Sequence, residues 1–212
     1  MTSINGLFTK PRDAEALYVL AHGAGAGMRH SFMTEISELL AERKIATFRY
    51  EFPYMAAGKR RPDTPRILQE TVRAAVEMAR EKAGGLPLIA GGKSMGGRMT
   101  SLAQSSDPLP DVAGLAFVGF PLHAPGRVGD KRADHLSAVD VPMLFVQGTR
   151  DSLADIDHID AVAKRLKKRA TLHIIDGGDH SFKVLKKLGR EQSEVMGEIA
   201  TAVAIWVGEV IQ

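Results

Sequence analysis

The sequence predicts an α/β architecture: a mostly parallel sheet with helices on both faces. Short apolar runs alternate with helix-like segments along the whole chain. Those runs are continuously apolar, as strands covered on both faces are, rather than alternating with polar residues. The loops that follow three of them carry serine, aspartate and histidine, where such sheets gather their ligands, at the carboxyl ends of the strands. The 212 residues are expected to form one domain over 1–212, long enough to bury a sizeable core.

Residues 17–21 combine apolar, aromatic and β-branched side chains and are expected as a buried strand. They run into His22-Gly23-Ala24-Gly25-Ala26-Gly27, a loop almost without side chains. Residues 32–43 place Phe32, Ile36, Leu39 and Leu40 on one helical face, and residues 45–50 form the next strand. A loop over 52–62 precedes Asp63-Thr64-Pro65, where a capping residue before a proline opens a long helix. Its expected inner face is Ile67, Thr71, Ala74, Ala75 and Met78.

A strand over 86–90 and a helix over 98–103 flank a glycine-rich turn, and 112–118 is another buried strand. Residues 121–140 hold the breakers Pro121, Pro125, Gly126 and Gly129 and are too few for a separate cap domain. A strand over 143–146, a helix over 155–166 and a strand over 171–175 follow. A closing helix over 193–210 carries Val195, Ile199, Val203, Trp206 and Val210 along one side. Its stretch 202–207 is apolar all round, which predicts deep burial in preference to a subunit interface.

The formal charge of +3 implies no polyanionic partner. The basic cluster from Lys164 to Arg169, with Lys183, Lys186, Lys187 and Arg190, lacks interleaved aromatics and reads as a solvated face rather than a nucleic-acid site. The chain has no cysteine, which excludes disulfides and thiolate chemistry. Residues 1–6 show no secretory pattern and no apolar run approaches a membrane span, so a cytoplasmic location away from membranes is expected.

The turn itself, Gly92-Lys93-Ser94-Met95-Gly96, fits G-x-S-x-G, the nucleophile elbow in which a strained strand-to-helix turn presents a serine hydroxyl at the sheet's edge. Gly-Lys-Ser also ends a phosphate-binding P-loop, but that loop needs a glycine where this chain has Pro87. An ordinary turn with Ser94 as a helix cap is the remaining alternative.

Two later strand ends decide in favour of the elbow. Asp151 follows the strand over 143–146, and His180 follows the strand over 171–175. A serine hydroxyl is a weak nucleophile until a base takes its proton, and the base needs a carboxylate to fix its tautomer. Ser94, Asp151 and His180 are therefore the expected catalytic residues. Asp155 and Asp157 are expected to serve the start of the helix that follows them, Asp176 and Asp179 to stabilise the turn around His180, and His173 and His158 to be structural. The developing oxyanion needs backbone donors: Met95, directly after the nucleophile, and Ala24, with Gly25 next, from the glycine-rich loop. That loop is not a dinucleotide fingerprint, since the third glycine would fall on Met28 or His30. His22 is expected to be a structural hydrogen-bonding residue.

With these residues in place the chain resembles the α/β-hydrolase superfamily, and within it the dienelactone-hydrolase-like group that includes KAN-type, testis-expressed hydrolase-like proteins. The resemblance rests on His22-Gly23-Ala24-Gly25, His30-Ser31-Phe32-Met33, Phe52-Pro53-Tyr54 with Arg60-Arg61-Pro62, Gly92-Lys93-Ser94-Met95-Gly96-Gly97-Arg98, Phe120-Pro121-Leu122-His123, Gln147-Gly148-Thr149-Arg150-Asp151 and Gly178-Asp179-His180. It implies an α/β-hydrolase fold with a minimal cap or none and the Ser94, Asp151 and His180 triad. True dienelactone hydrolases use a cysteine nucleophile, which this chain lacks.

The expected activity is a serine hydrolase acting, without cofactor or metal, on a small ester or thioester as a monomer or homodimer. An acyltransferase using the same residues, or a non-catalytic interaction protein of the same fold, are the alternatives. Arg29, Arg49, Lys59, Arg60, Arg61, Lys93 and Arg98 fall in or beside loops expected to border the site, which suits an anionic substrate. Arg60, Arg61 and His123 are the expected substrate contacts. Lys93 is left without a role.

Overall fold

The computed structural model describes residues 4–212. Its centre is a seven-stranded sheet: β1 (Gly6–Thr9), β2 (Ala16–Ala21), β3 (Ile45–Tyr50), β4 (Leu88–Lys93), β5 (Val112–Val118), β6 (Met143–Gly148) and β7 (Ala170–Ile175). The strands lie in the order β1-β3-β2-β4-β5-β6-β7, with β1 antiparallel to β3 and every other pair parallel. The connecting helices are α1 (Ser31–Ala41), the short α2 (Pro53–Ala56), α3 (Pro65–Ala83), α4 (Met95–Ser106), α5 (Ile156–Leu166) and α6 (Gln192–Val210).

The strands bury both faces because their side chains point alternately to opposite sides. Leu17, Val19 and Ala21 of β2 and Phe117 of β5 face one core, together with α3, α4 and α5. Tyr18 and Leu20 of β2 and Val118 of β5 face the other, with α1 and α6. Helices on both faces leave the strand ends as the open edge of the molecule. The cap-less layout follows from the 121–140 stretch, which holds only a 3₁₀ segment, Lys131–Ala138.

Several sequence expectations need correcting. The strand β1 leaves no signal in the sequence: its four residues lie at the sheet's edge and are too few for a periodic pattern. Residues 53–56, expected as loop, make a helical turn. The inner face of α3 is Leu68, Thr71, Val72, Ala75, Val76 and Ala79. Thr71 and Ala75 were placed correctly, but Ile67 is 39% exposed, because the stripe is turned by about one position toward Leu68 and Val72. The apolar stretch of α6 is buried on one side only. Val203, Trp206 and Val207 pack inward, whereas Ile205 is 61% exposed because α6 covers the sheet as an outer layer.

The elbow strand runs further than its apolar residues suggest, through Gly91 and Gly92 to Lys93. Both glycines sit at φ 146°, between two close neighbours. A Cβ on Gly91 would lie 1.9 Å from the Ala116 carbonyl oxygen, and one on Gly92 2.2 Å from that of Ala21. Bare backbone is what lets β4 pass between β2 and β5 at this point. Gly91→Ala is accordingly expected to cost about 3 kcal/mol or more, through overpacking and a backbone conformation closed to L side chains. A lowered denaturation midpoint with an unchanged m-value is the expected readout.

Candidate active site

Ser94 stands between β4 and α4 with φ 50° and ψ −115°, a strained conformation for a residue with a side chain. Its N–H donates to the Val118 carbonyl at 3.1 Å, tying the turn to β5. The helix comes very close to the strands just beyond it. A Cβ on Gly96 would lie 2.6 Å from the His22 carbonyl oxygen, and one on Gly97 2.7 Å from that of Gly92. The glycines of the motif are thus required by packing, and the packing forces the serine outward.

Asp151 leaves the end of β6 in a tight turn, its N–H donating to the Gly148 carbonyl at 3.2 Å. Its side chain is fully buried. One carboxylate oxygen accepts the Leu153 N–H at 2.8 Å, and the other accepts from the Gln147 side-chain amide and from His180 Nδ1, the latter at 2.7 Å. Gln147 is oriented by the Phe120 N–H, which donates to its Oε1 at 3.0 Å. Three donors thus satisfy the oxygens of this buried carboxylate, which offsets the cost of taking them out of water. Gln147 was not singled out in the sequence. Its signal was a polar residue at the end of an otherwise apolar strand, buried here without exposure.

The loop after β7 carries His180, and it lies directly on the loop of Asp151. Gly148 makes this possible, since a Cβ there would meet the Gly178 carbonyl oxygen at 2.2 Å. The Arg150 N–H donates to that carbonyl at 2.9 Å. His180 Nδ1 faces the carboxylate and therefore carries the proton, which leaves Nε2 as an acceptor. The Ser94 hydroxyl donates to Nε2 at 2.8 Å. Serine, imidazole and carboxylate form one unbroken chain.

The glycine-rich loop after β2 is braced from beneath by His22, which is fully buried. Nδ1 of its neutral ring donates to the Gly23 carbonyl at 2.8 Å, and Nε2 accepts the Phe52 N–H at 3.1 Å. Burial pushes its pKa down, which favours this neutral form. Glu51 accepts the Met28 N–H at 3.1 Å and holds the far end of the loop. The Gly25 N–H donates to the Tyr54 hydroxyl at 3.0 Å, so Gly25 is withdrawn from the expected set of oxyanion donors. Among the described residues no hydrogen bond engages the Ala24 N–H, and Met95, the first residue of α4, has no helical carbonyl to donate to. Met95 directly follows Ser94, and Ala24 lines the same cleft as Ser94.

An alpha/beta hydrolase domain family matches residues 14–208, nearly the whole chain. The chain belongs to the alpha/beta hydrolases. Solved structures agree in fold. A dienelactone hydrolase from Anabaena variabilis superposes with a TM-score of 0.77 at 19% identity, over 98% of this chain and 92% of that one. An alpha-beta serine hydrolase homologue from Coxiella burnetii gives 0.74 at 19% identity, over 93% and 90%. A member of the serine hydrolases without a lid, from Xanthomonas campestris, gives 0.72 at 20% identity, over 96% and 89%.

In this alpha/beta hydrolase Ser94 and His180 open onto a cleft of about 800 Å³. Ala24, Phe32, Met33, Leu153, Val184 and Met196 supply its apolar wall, and Lys93, Lys183 and Glu35 its charges. Arg60 and Arg61, expected as substrate contacts, are not among its lining residues: they lie in the exposed loop between α2 and α3. His123 is outside the lining as well, with Nδ1 3.0 Å from the Ala124 carbonyl of its own loop. Arg49 is buried within β3, where it donates to the Thr34 hydroxyl at 2.9 Å and the Met28 carbonyl at 3.3 Å, a structural role. Of the basic residues expected near the site, Lys93 alone is part of the cleft wall.

Three of the rival acids and bases take the structural places expected of them: Asp155, Asp179 and His173. Asp155 caps α5 by accepting the Asp157 N–H at 3.0 Å, and Asp179 accepts the N–H groups of Ser181 and Lys183 at 2.8 and 2.9 Å. His173 lies 3.2 Å from Glu198, away from the cleft.

Tyr54 offers a test of the loop's bracing. Tyr54→Phe removes the acceptor of the Gly25 N–H and loosens the segment that presents Ala24. A fall in kcat of about tenfold is expected, corresponding to one lost hydrogen bond, with the thermal midpoint nearly unchanged.

Proposed function

We propose that the protein is a serine hydrolase that cleaves an ester or thioester of a small molecule through an acyl-enzyme. The observation that carries this reading is the chain from Ser94 Oγ to His180 Nε2 at 2.8 Å and from His180 Nδ1 to Asp151 at 2.7 Å, opening on an accessible cleft.

The reaction follows from that geometry. His180 Nε2 takes the Ser94 proton as the oxygen attacks the substrate carbonyl carbon, and buried Asp151 stabilises the imidazolium that forms. The carbonyl oxygen becomes an oxyanion between the Ala24 and Met95 N–H groups. The imidazolium then gives its proton to the departing alcohol or thiol, leaving Ser94 acylated. Water enters, loses a proton to Nε2 and attacks the acyl carbon. Collapse of the second intermediate returns the proton to Ser94 and releases the acid. The apolar wall of the cleft suits an acyl chain, and Lys93 and Lys183 bring positive charge to it.

The test is a library of esters and thioesters graded in chain length and charge. Saturable turnover of at least one class, with the free acid as product, is expected. A correctly folded protein that hydrolyses none of them, at rates above buffer, would overturn the reading.

A further inference from the structure

We infer that Lys93 is a positioning residue for catalysis: its ammonium, held in a cradle beside the nucleophile, locks the loop of His180 in the geometry that reaches Ser94. This rests on the serine-hydrolase reading above.

Lys93 is the last residue of β4 and the immediate neighbour of Ser94. Its Nζ donates to the backbone carbonyl of His180 at 2.6 Å. Among the described residues it is the one donor to that carbonyl. The rest of the loop is braced elsewhere: the Gly178 carbonyl by the Arg150 N–H, and the Ser181 and Lys183 N–H groups by Asp179. At His180 itself the backbone is secured by Lys93. Phe182, two residues on, holds the left-handed conformation at φ 62° in a turn closed by its own N–H, which donates to the Asp179 carbonyl at 2.8 Å.

The surroundings are shaped for the ammonium. Its stem passes Gly23, where a Cβ would lie 3.5 Å from Lys93 Cγ. Its head meets Gly119, where a Cβ would come to 3.0 Å from Nζ. The rings of Phe32 and Phe182 stand 5.9 and 5.4 Å from Nζ, within the range of cation–π attraction. One cation thus joins the ends of β4 and β5, the start of α1 and the histidine loop. An apolar side chain would fill the same space without the cost of desolvating a charge, so the cost points to a task.

The charged and titratable groups around it are Asp151 after β6, Asp179 and His180 after β7, and, along the same cleft, His30 at the start of α1, Glu35 of α1 and Lys183. Burial pushes the Lys93 pKa down to about 8, and the carboxylates of Asp151 and Asp179 work against that shift. Above that pH the amine keeps only a weak donor and loses its attraction to the rings.

Three measurements on the full chain test the inference. Lys93→Met keeps the stem and removes the donor. Its kcat is expected to fall about 10- to 100-fold, the range for losing a charge-assisted hydrogen bond, with KM within about threefold. The wild-type kcat is expected to decline on the alkaline side with a midpoint near pH 8, and Lys93→Met to lack that limb. The downfield proton resonance of His180 Nδ1–H, bonded to Asp151, is expected in the wild type and broadened by exchange in Lys93→Met.

A Lys93→Met protein with wild-type kcat would overturn the inference. So would a loss confined to KM on anionic esters, which would make Lys93 a substrate contact. If the variant does not fold, Lys93→Leu, which likewise removes the donor, takes its place, and a wild-type kcat there overturns the inference. If the wild type proves not to hydrolyse esters, the resonance decides: an unaltered signal in Lys93→Met means that Lys93 does not hold the histidine.

Discussion

Ser94→Ala is expected to lower kcat for ester hydrolysis by about 10⁵- to 10⁶-fold, the largest effect in the molecule. The substitution removes the oxygen that attacks, and none of the neighbouring groups can replace it. Ser94 Oγ donates to His180 Nε2 and makes no other hydrogen bond among the described residues, so little structure depends on it. Substrate affinity and thermal midpoint are therefore expected to stay close to wild type. What remains is the contribution of the Ala24 and Met95 donors and of the cleft, which still bind the substrate and polarise its carbonyl for water. Steady-state kinetics on freshly purified variant, beside a thermal melt, checks both halves of the expectation.

Asp151→Asn is expected to lower kcat by about 10⁴-fold by a different route. The carboxylate accepts three donors: the Leu153 N–H, the Gln147 amide and His180 Nδ1. An amide has one acceptor oxygen and an NH₂ in place of the other. If the oxygen faces Leu153, the NH₂ faces His180, and Nδ1 must give up its proton to accept from it. The proton then sits on Nε2, pointing at Ser94, and the base is lost in the resting enzyme. With the oxygen turned the other way, the Leu153 N–H loses its acceptor. Each arrangement leaves a buried group unsatisfied, so stability is also expected to fall by about 1–3 kcal/mol. The combination separates Asp151 from Ser94: both variants lose activity, but only Asp151→Asn loses stability.

Much of this site was legible in the sequence because the chemistry is local. The elbow needs glycines beside one serine, and the three strand ends carry Ser94, Asp151 and His180 in the order that family uses. The strand from Val112 to Val118 was readable to the residue as an unbroken run of apolar residues and glycine, and that from Ile45 to Tyr50 from its aromatic and β-branched residues, despite Thr47 and Arg49. The end of β4 was not, because Gly91 and Gly92 carry no hydrophobic signal and are extended only through packing against Ala21 and Ala116. Tertiary contact also shapes the glycine-rich loop: the Tyr54 hydroxyl, supplied from the short helix α2, takes the Gly25 N–H, a partner that the sequence around Ala24 and Gly25 does not reveal.

Charge was the least legible property. Arg60 and Arg61 read as substrate ligands by their loop position, yet both are exposed and neither is among the residues that line the cleft. Arg49 faces inward from β3 and holds the backbone of a neighbouring loop. Lys93, the residue without an assignment, is the basic group from that set that lines the site, because a strand ending at the nucleophile necessarily delivers its last side chain there. A sequence shows how many cations lie near a site, but only packing shows which of them face it.

The central claim is that Ser94 is a nucleophile activated by His180. It is tested most directly by treating the folded protein with a fluorophosphonate probe and locating the adduct by mass spectrometry. One adduct per chain is expected, on the peptide that contains Ser94, absent from Ser94→Ala and formed far more slowly in His180→Ala. A folded wild-type protein that remains unlabelled, or one labelled elsewhere with Ser94 untouched, would contradict it.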